Sequence, residues 1–285
     1  MTLRLRTRIA AATAVVVSAS FVLLTAASPA AADPAGQVIV KLTSNPSFGD
    51  RLEMPATCPA GTAVAGGGGY LTAPGAPLGH VALDRLQPTF ENKYWVRTHR
   101  IDDSEPSWLH TAVAICVPKP TGWEIVSQLG GVQQEYVTTP TCGTGRSVIG
   151  AGGRTNKGDS NVVLEDVIPS ADLKTVTVRG VEITGSNDDD WNVTAYAVCA
   201  DTPAGLQRVA FSTLSDSDSH KTASASCPAG KALYGTGVAV NAGNGNVLLS
   251  GINTIGNDQV AAWADEIIGG YAGDWSLTAY GICGS

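Results

Sequence analysis

The chain has 285 residues, 44% of them hydrophobic and 15% charged, with 33 glycines, six cysteines and a formal net charge of −7. The acidic balance works against nucleic acid or anionic wall polymers, which would be repelled everywhere except at a local basic patch.

In chain order, the first segment is a leader. Arg4, Arg6 and Arg8 precede an uncharged apolar run from Ile9 to Ala27, and a small-residue exit ends at Ala30-Ala31-Ala32. This is the pattern of a secretory signal over residues 1–32, cleaved before Asp33, and its loss leaves the mature chain more acidic still. No later apolar run approaches the roughly 20 residues that cross a bilayer as a helix, so no membrane insertion is expected. All six cysteines lie beyond the leader, in the part that would meet an oxidising, extracellular compartment.

The rest of the chain is a threefold repeat. CPAGTAVAGGGG from Cys58 returns as CGTGRSVIGAGG from Cys142 and CPAGKALYGTGV from Cys227. HVALDRLQP from His80 returns as NVVLEDVIP from Asn161 and NVLLSGINT from Asn246. WLHTAVAIC from Trp108 returns as WNVTAYAVC from Trp191 and WSLTAYGIC from Trp275. Three landmarks in one order define units at 33–118, 119–202 and 203–285.

Short runs rich in Val, Ile and Thr, broken by Gly, Pro, Asn and Asp, carry no helical period, so the chain reads as all-β. In the first unit the strands fall near Val38 to Leu42, Arg51 to Thr57, Thr62 to Tyr70, Val81 to Leu86, Tyr94 to Ile101 and Leu109 to Val117. The cysteine spacing favours one bridge within each unit: Cys58 to Cys116, Cys142 to Cys199 and Cys227 to Cys283. A pairing between units that ran the same way round all three would also respect the repeat. No CxxC pair points to a metal.

The pairs Gly66 and Gly68, Gly150 and Gly152, Gly235 and Gly237 each lie on one face of a strand and leave bare backbone. The expected occupant of that space is the unit's own tryptophan, Trp108, Trp191 or Trp275, with a sugar ring as the alternative.

The order CPAG, glycine-rich strand, Trp and closing TAYA-x-C resembles a module common in secreted proteins of actinobacteria. More distantly, a cysteine-glycine strand opening each unit and an acidic turn before a cysteine-ended strand are similar to the vitelline membrane outer layer proteins. The resemblance implies a β-prism-like fold, shared with jacalin-type lectins, in which three homologous units surround a pseudo-threefold axis, and it raises the expectation of carbohydrate binding. The units here are longer and the cysteines sparser, and no jacalin sugar-site motif is present to transfer. Three tandem small β-sandwiches and a β-trefoil are the competing architectures.

Candidate binding residues come from the loops, where specificity is usually written on a rigid scaffold. Asn156, Asp159, Asn241 and Asn244 suit sugar hydroxyls and are also ordinary turn residues, and Asp188, Asp189 and Asp190 join them as candidate binding residues. The acidic turns, Asp102, Asp103 and Glu105, then Asp188, Asp189 and Asp190, then Asp274, match no calcium-loop spacing and read as solvated tips. A hairpin centred on Asp103 to Glu105 would place His99 opposite His110, where the second unit has Val181 and Val193. Such a pair would be a hydrogen-bonded core contact, a pH-sensitive one or half a metal site.

GxSxG and HExxH are absent, and the aligned positions Asp84, Glu165 and Ser250 carry carboxylates in only two units. The expectation is a secreted, non-catalytic protein that binds a glycan or cell-surface polymer without cofactor or metal. A structural or protein-interaction module is the alternative, and a polysaccharide hydrolase using Asp84 and Glu165 stands third.

Overall fold

A computed structural model describes residues 36–73, 78–102, 104, 107–157, 161–186 and 190–285. The first unit supplies β1 (Val38–Thr43), β2 (Arg51–Thr57), β3 (Thr62–Thr72), β4 (Val81–Thr89), β5 (Lys93–Arg100) and β6 (Leu109–Pro118). The second supplies β7 (Glu124–Leu129), β8 (Tyr136–Thr138), β9 (Arg146–Lys157), β10 (Val162–Pro169), β11 (Val176–Glu182) and β12 (Trp191–Asp201). The third supplies β13 (Gln207–Ser212), β14 (His220–Ser226), β15 (Ala232–Asn241), β16 (Val247–Ile255), β17 (Gln259–Glu266) and β18 (Ser276–Gly284). The described residues contain no helix.

These strands form three antiparallel six-stranded sheets, ordered β1-β6-β3-β16-β17-β14, β2-β5-β4-β9-β12-β7 and β13-β18-β15-β10-β11-β8. Every sheet therefore takes three strands from one unit and three from the next. The first unit lends β4 to the second, the second lends β10 to the third, and the third lends β16 back to the first. That cyclic exchange rules out tandem sandwiches, and the absence of a closed barrel among the described residues rules out a trefoil; the pseudo-threefold prism stands.

The seams between units are short. Each has two residue pairs: Arg85 with Arg154 and Leu86 with Gly153, Asp166 with Ala239 and Val167 with Val238, Gly251 with Tyr70 and Ile252 with Gly69. Proline explains why two of the ladders stop. Pro88 and Pro169, two residues past Leu86 and Val167, have no N–H to donate. At the third seam the matching Thr254 gives its N–H to Asn253 Oδ1, 2.8 Å away, instead of to the ladder.

The glycine pairs hold neither tryptophan nor open space. A Cβ on Gly66 would lie 2.6 Å from Gly235 Cα, one on Gly235 2.8 Å from Gly150 Cα, and one on Gly150 2.9 Å from Gly66 Cα. The three form a closed ring in which each faces the backbone of the next unit. The second glycine of each pair sits on a seam: Gly68 against Ile252, Gly152 against Leu86 and Pro88, Gly237 against Val167 and Pro169. The expectation that each unit's tryptophan covers its glycines is thus corrected, because a neighbouring backbone comes closer than any ring could. Trp108, Trp191 and Trp275 are buried elsewhere within their own units. Their Nε1–H groups donate to Thr98 Oγ1 (3.1 Å), Glu182 Oε1 (2.8 Å) and Glu266 Oε1 (3.2 Å).

The disulfides join Cys58 to Cys116, Cys142 to Cys199 and Cys227 to Cys283, with Cα atoms 5.5, 5.7 and 5.6 Å apart. Each closes a loop of nearly sixty residues, worth about 4 kcal/mol in the chain-entropy account. One hydrophobic cluster runs through all three units, and a second, smaller one gathers Ala82, Val163 and Leu248 with the partly buried Ile101, Ile183 and Ile267.

Gly150→Ala is expected to lower unfolding free energy by roughly 3 kcal/mol or more, since backbone faces the new methyl and cannot move aside cheaply. Gly143→Ala, whose Cβ would meet nothing closer than Arg146 Cδ at 4.0 Å, should stay within about 0.5 kcal/mol of the parent in the same urea titration.

Candidate functional site

Each unit has a β-bulge in its fourth strand, and the extra residue is Asp84, Glu165 or Ser250. A bulge re-aims a side chain. Here it turns one polar group of each unit into the interior, and all three are buried.

Asp84 accepts two bonds from Arg97 Nε at 2.8 Å, and His99 Nδ1 lies 3.0 Å from its Oδ2, within ion-pair distance but poorly aligned for a hydrogen bond. Burial alone would push this carboxyl up, yet the combined pull of His99 and Arg97 holds it below the usual range. Glu165 accepts from Arg179 Nη1 at 2.6 Å and from the Gly245 N–H at 2.8 Å. There burial prevails over both partners and raises its pKa from 4.5 to about 7. Ser250 donates to Asp265 Oδ2 at 2.5 Å, and His220 Nδ1 lies 2.8 Å from Asp265 Oδ1. Acid and base change together from unit to unit, so each bulge is internally matched. Neither Asp84 nor Glu165 faces solvent, which leaves a hydrolytic pair without access to a polymer.

His99 and His110 are not cross-strand neighbours. β5 pairs with β2 and β4, whereas β6 pairs with β1 and β3 in a different sheet. β5 and β6 therefore do not form a hairpin, which is the physical reason the expectation fails. His110 Nδ1 lies 3.0 Å from Thr98 Oγ1, the same oxygen that takes the Trp108 N–H. Burial lowers the His110 pKa to about 4 against a smaller opposing pull from Asp84.

The loop candidates are largely occupied by their own strands. Asn156 Nδ2 donates to Asn192 Oδ1 at 2.8 Å and Thr194 Oγ1 at 2.9 Å. Asn241 Nδ2 makes the equivalent bonds to Ser276 Oγ at 3.2 Å and Thr278 Oγ1 at 3.1 Å. Both pin the closing strand to the central one. Asn244 has a left-handed backbone (φ 50°) and accepts from Arg179 at 3.2 Å. Asp190 is ion-paired with Lys157 at 2.7 Å. Asp159, Asp188, Asp189, Asp103 and Glu105 lie outside the described residues.

The outward faces of the seams carry side chains that sequence reasoning did not single out. At the first-to-second seam, Arg97, Arg85 and Arg154 stand in one row across β5, β4 and β9. The Trp95 ring packs against Arg85, its centroid 5.2 Å from the guanidinium carbon. Gln87 pairs with Trp95, and Tyr196 is close enough to act on the Arg85 charge. At the third-to-first seam the same row holds Trp263, Gly251 and Tyr70, and the two rings lie 5.5 Å apart over the bare glycine. The second-to-third row holds Arg179, Asp166 and Ala239, with Tyr136 against Arg179 at 5.2 Å. One scaffold position thus carries a cationic-aromatic row, an aromatic row and a row of buried opposite charges, Arg179 and Asp166, edged by the exposed Tyr136. A separate cleft of about 450 Å³ lies where β6, β12 and β18 end, lined by Val117, Pro118, Asp201, Pro203, Tyr234 and Ser285.

Compared with known proteins, the chain matches no family model and no curated protein sequence.

The raised Glu165 pKa has a defined stability signature. A carboxyl whose folded pKa exceeds its unfolded value favours the fold at low pH and loses that contribution as pH rises between the two, here from 4.5 to about 7. Asp166, raised by burial to about 6, acts in the same direction, while His110 acts oppositely below its ordinary 6.5. In urea unfolding across that range, the difference between parent and Glu165→Gln should slope with pH, and a pH-independent difference would contradict the assignment.

Proposed function

We propose that this is an exported, non-catalytic binding protein whose ligand is a glycan or another extracellular polymer, held on the outward seam faces of the prism. The observation that carries the reading is the divergence at one register position. Three seams built on the same strands and glycines present Trp95 with Arg85, Tyr70 with Trp263, and Tyr136 with Arg179. Partly exposed aromatic rings beside a few polar groups on a rigid sheet are the usual makings of a ligand surface. The three disulfides agree with an oxidising compartment, and the 1–32 leader supplies the route there.

One feature favours the structural or protein-interaction alternative. The first strand of each unit, β1, β7 or β13, is a sheet edge and bears exposed apolar side chains, among them Leu42, Leu129 and Phe211. Unpaired edges of that kind accept a further strand from another chain.

A glycan array probed with the mature protein separates these readings. Binding should be selective, and Trp95→Ala or Trp263→Ala should weaken it about tenfold for a ligand on the corresponding seam. An array that stays blank, together with concentration-dependent assembly lost on Phe211→Lys, would shift the assignment to the structural alternative. The exported form should begin at Asp33 by N-terminal sequencing.

A further inference from the structure

We propose that the seam between the first and second units is a single site for an acidic saccharide, whose carboxylate or sulfate ester is held by Arg154 and Arg85 beside the Trp95 ring. This rests on the polymer-binding reading above and narrows it to one surface and one ligand chemistry.

Arg85 is the direct cross-strand partner of both Arg97 and Arg154. Like charges directly opposite one another on neighbouring strands destabilise a sheet unless countered. Two of the three guanidinium groups are countered. Arg97 is taken up by Asp84 and by the Thr155 carbonyl at 2.9 Å. Arg85 pairs with Glu53 and donates to Gln87 Oε1 at 2.7 Å.

The Arg154 side chain makes no hydrogen bond or ion pair among the described residues, and its Nε is shielded from water without an acceptor. The row therefore holds three cations against two carboxylates, in a chain whose formal net charge is −7. The surplus is felt locally: burial first, then repulsion from Arg154 and Arg97, lowers the Arg85 pKa to about 10. An oxyanion bound between Arg85 and Arg154 would relieve that repulsion, in the charge-assisted geometry guanidinium groups favour.

The Trp95 ring distinguishes a saccharide from a free anion, since it offers an apolar face next to the charge. The acidic remainder of the chain disfavours a nucleic acid, which needs a long basic track. The other seams cannot substitute. The positions of Arg85 and Arg154 are Asp166 and Ala239 at one and Gly251 and Tyr70 at the other. One ligand per chain follows.

The test is calorimetric titration of the mature, disulfide-bonded protein with oligogalacturonate, sulfated dextran oligosaccharide, neutral dextran oligosaccharide, inorganic sulfate and single-stranded DNA, at low and high salt. The acidic saccharides should bind one per chain, more weakly at high salt, and quench tryptophan fluorescence in the parent but not in Trp95→Phe. Arg154→Gln and Arg85→Gln should each weaken them about tenfold or more, with Arg154→Lys between. Arg154→Gln should leave the melting temperature unchanged or raised, since it removes an uncompensated charge; a lowered melting temperature with undiminished binding would assign Arg154 a structural role and overturn the site. Neutral dextran binding as well as the acidic forms would overturn the site while leaving the polymer reading intact. Inorganic sulfate or DNA matching the saccharides in an Arg154-dependent way would overturn the choice of ligand. A blank result with every probe and on the glycan array would overturn both.

Discussion

Three backbones meet where Gly66, Gly150 and Gly235 face one another in a ring, and the rest of the architecture depends on that approach. Any side chain there would be driven into the neighbouring unit's main chain, so the units could not draw close enough to exchange strands. With the ring closed, β4, β10 and β16 reach the central strand of the next unit. Glycine is costly within a strand because it packs nothing and loses much chain entropy. Its repetition at the same place in each unit is intelligible only through this contact.

Stability is distributed unevenly as a result. Within a unit, long ladders and a disulfide hold the strands; between units, the seams offer two residue pairs each and end at Pro88, Pro169 or the self-satisfied Thr254. The shared core supplies the remainder, with hydrophobic side chains from every unit in one continuous cluster. A unit excised from the chain would leave one half of two sheets without its partner, so the repeat is a unit of sequence and not an independent body.

The bulges show how repeated scaffolds diverge. Asp84 with Arg97 and Glu165 with Arg179 are interior charge pairs, and Ser250 with Asp265 and His220 is the third unit's substitute. A buried charge without its partner is far costlier than the pair, so exchange at one position demands exchange at the other. The residue that follows the bulge varies separately from that pair. Arg85, Asp166 and Gly251 stand at that position and give the three seams different chemistry.

The amino-acid order alone determined the repeat, the all-β class and the strands of the first unit to within a few residues, and it favoured the bridge within each unit without excluding a pairing between units, because these follow from local periodicity and from spacing along the chain. It also marked the glycine pairs as places of close approach, though not what approaches. That Gly150 meets Gly66, that β5 and β6 part into different sheets so that His99 and His110 are not cross-strand partners, and that Arg85 stands beside Arg154 were decided by the exchange of strands between units. Arg85 and Arg154 lie far apart in sequence and in different units, and no periodicity within either one records that they are neighbours. Only closure of the three units about their axis makes them so.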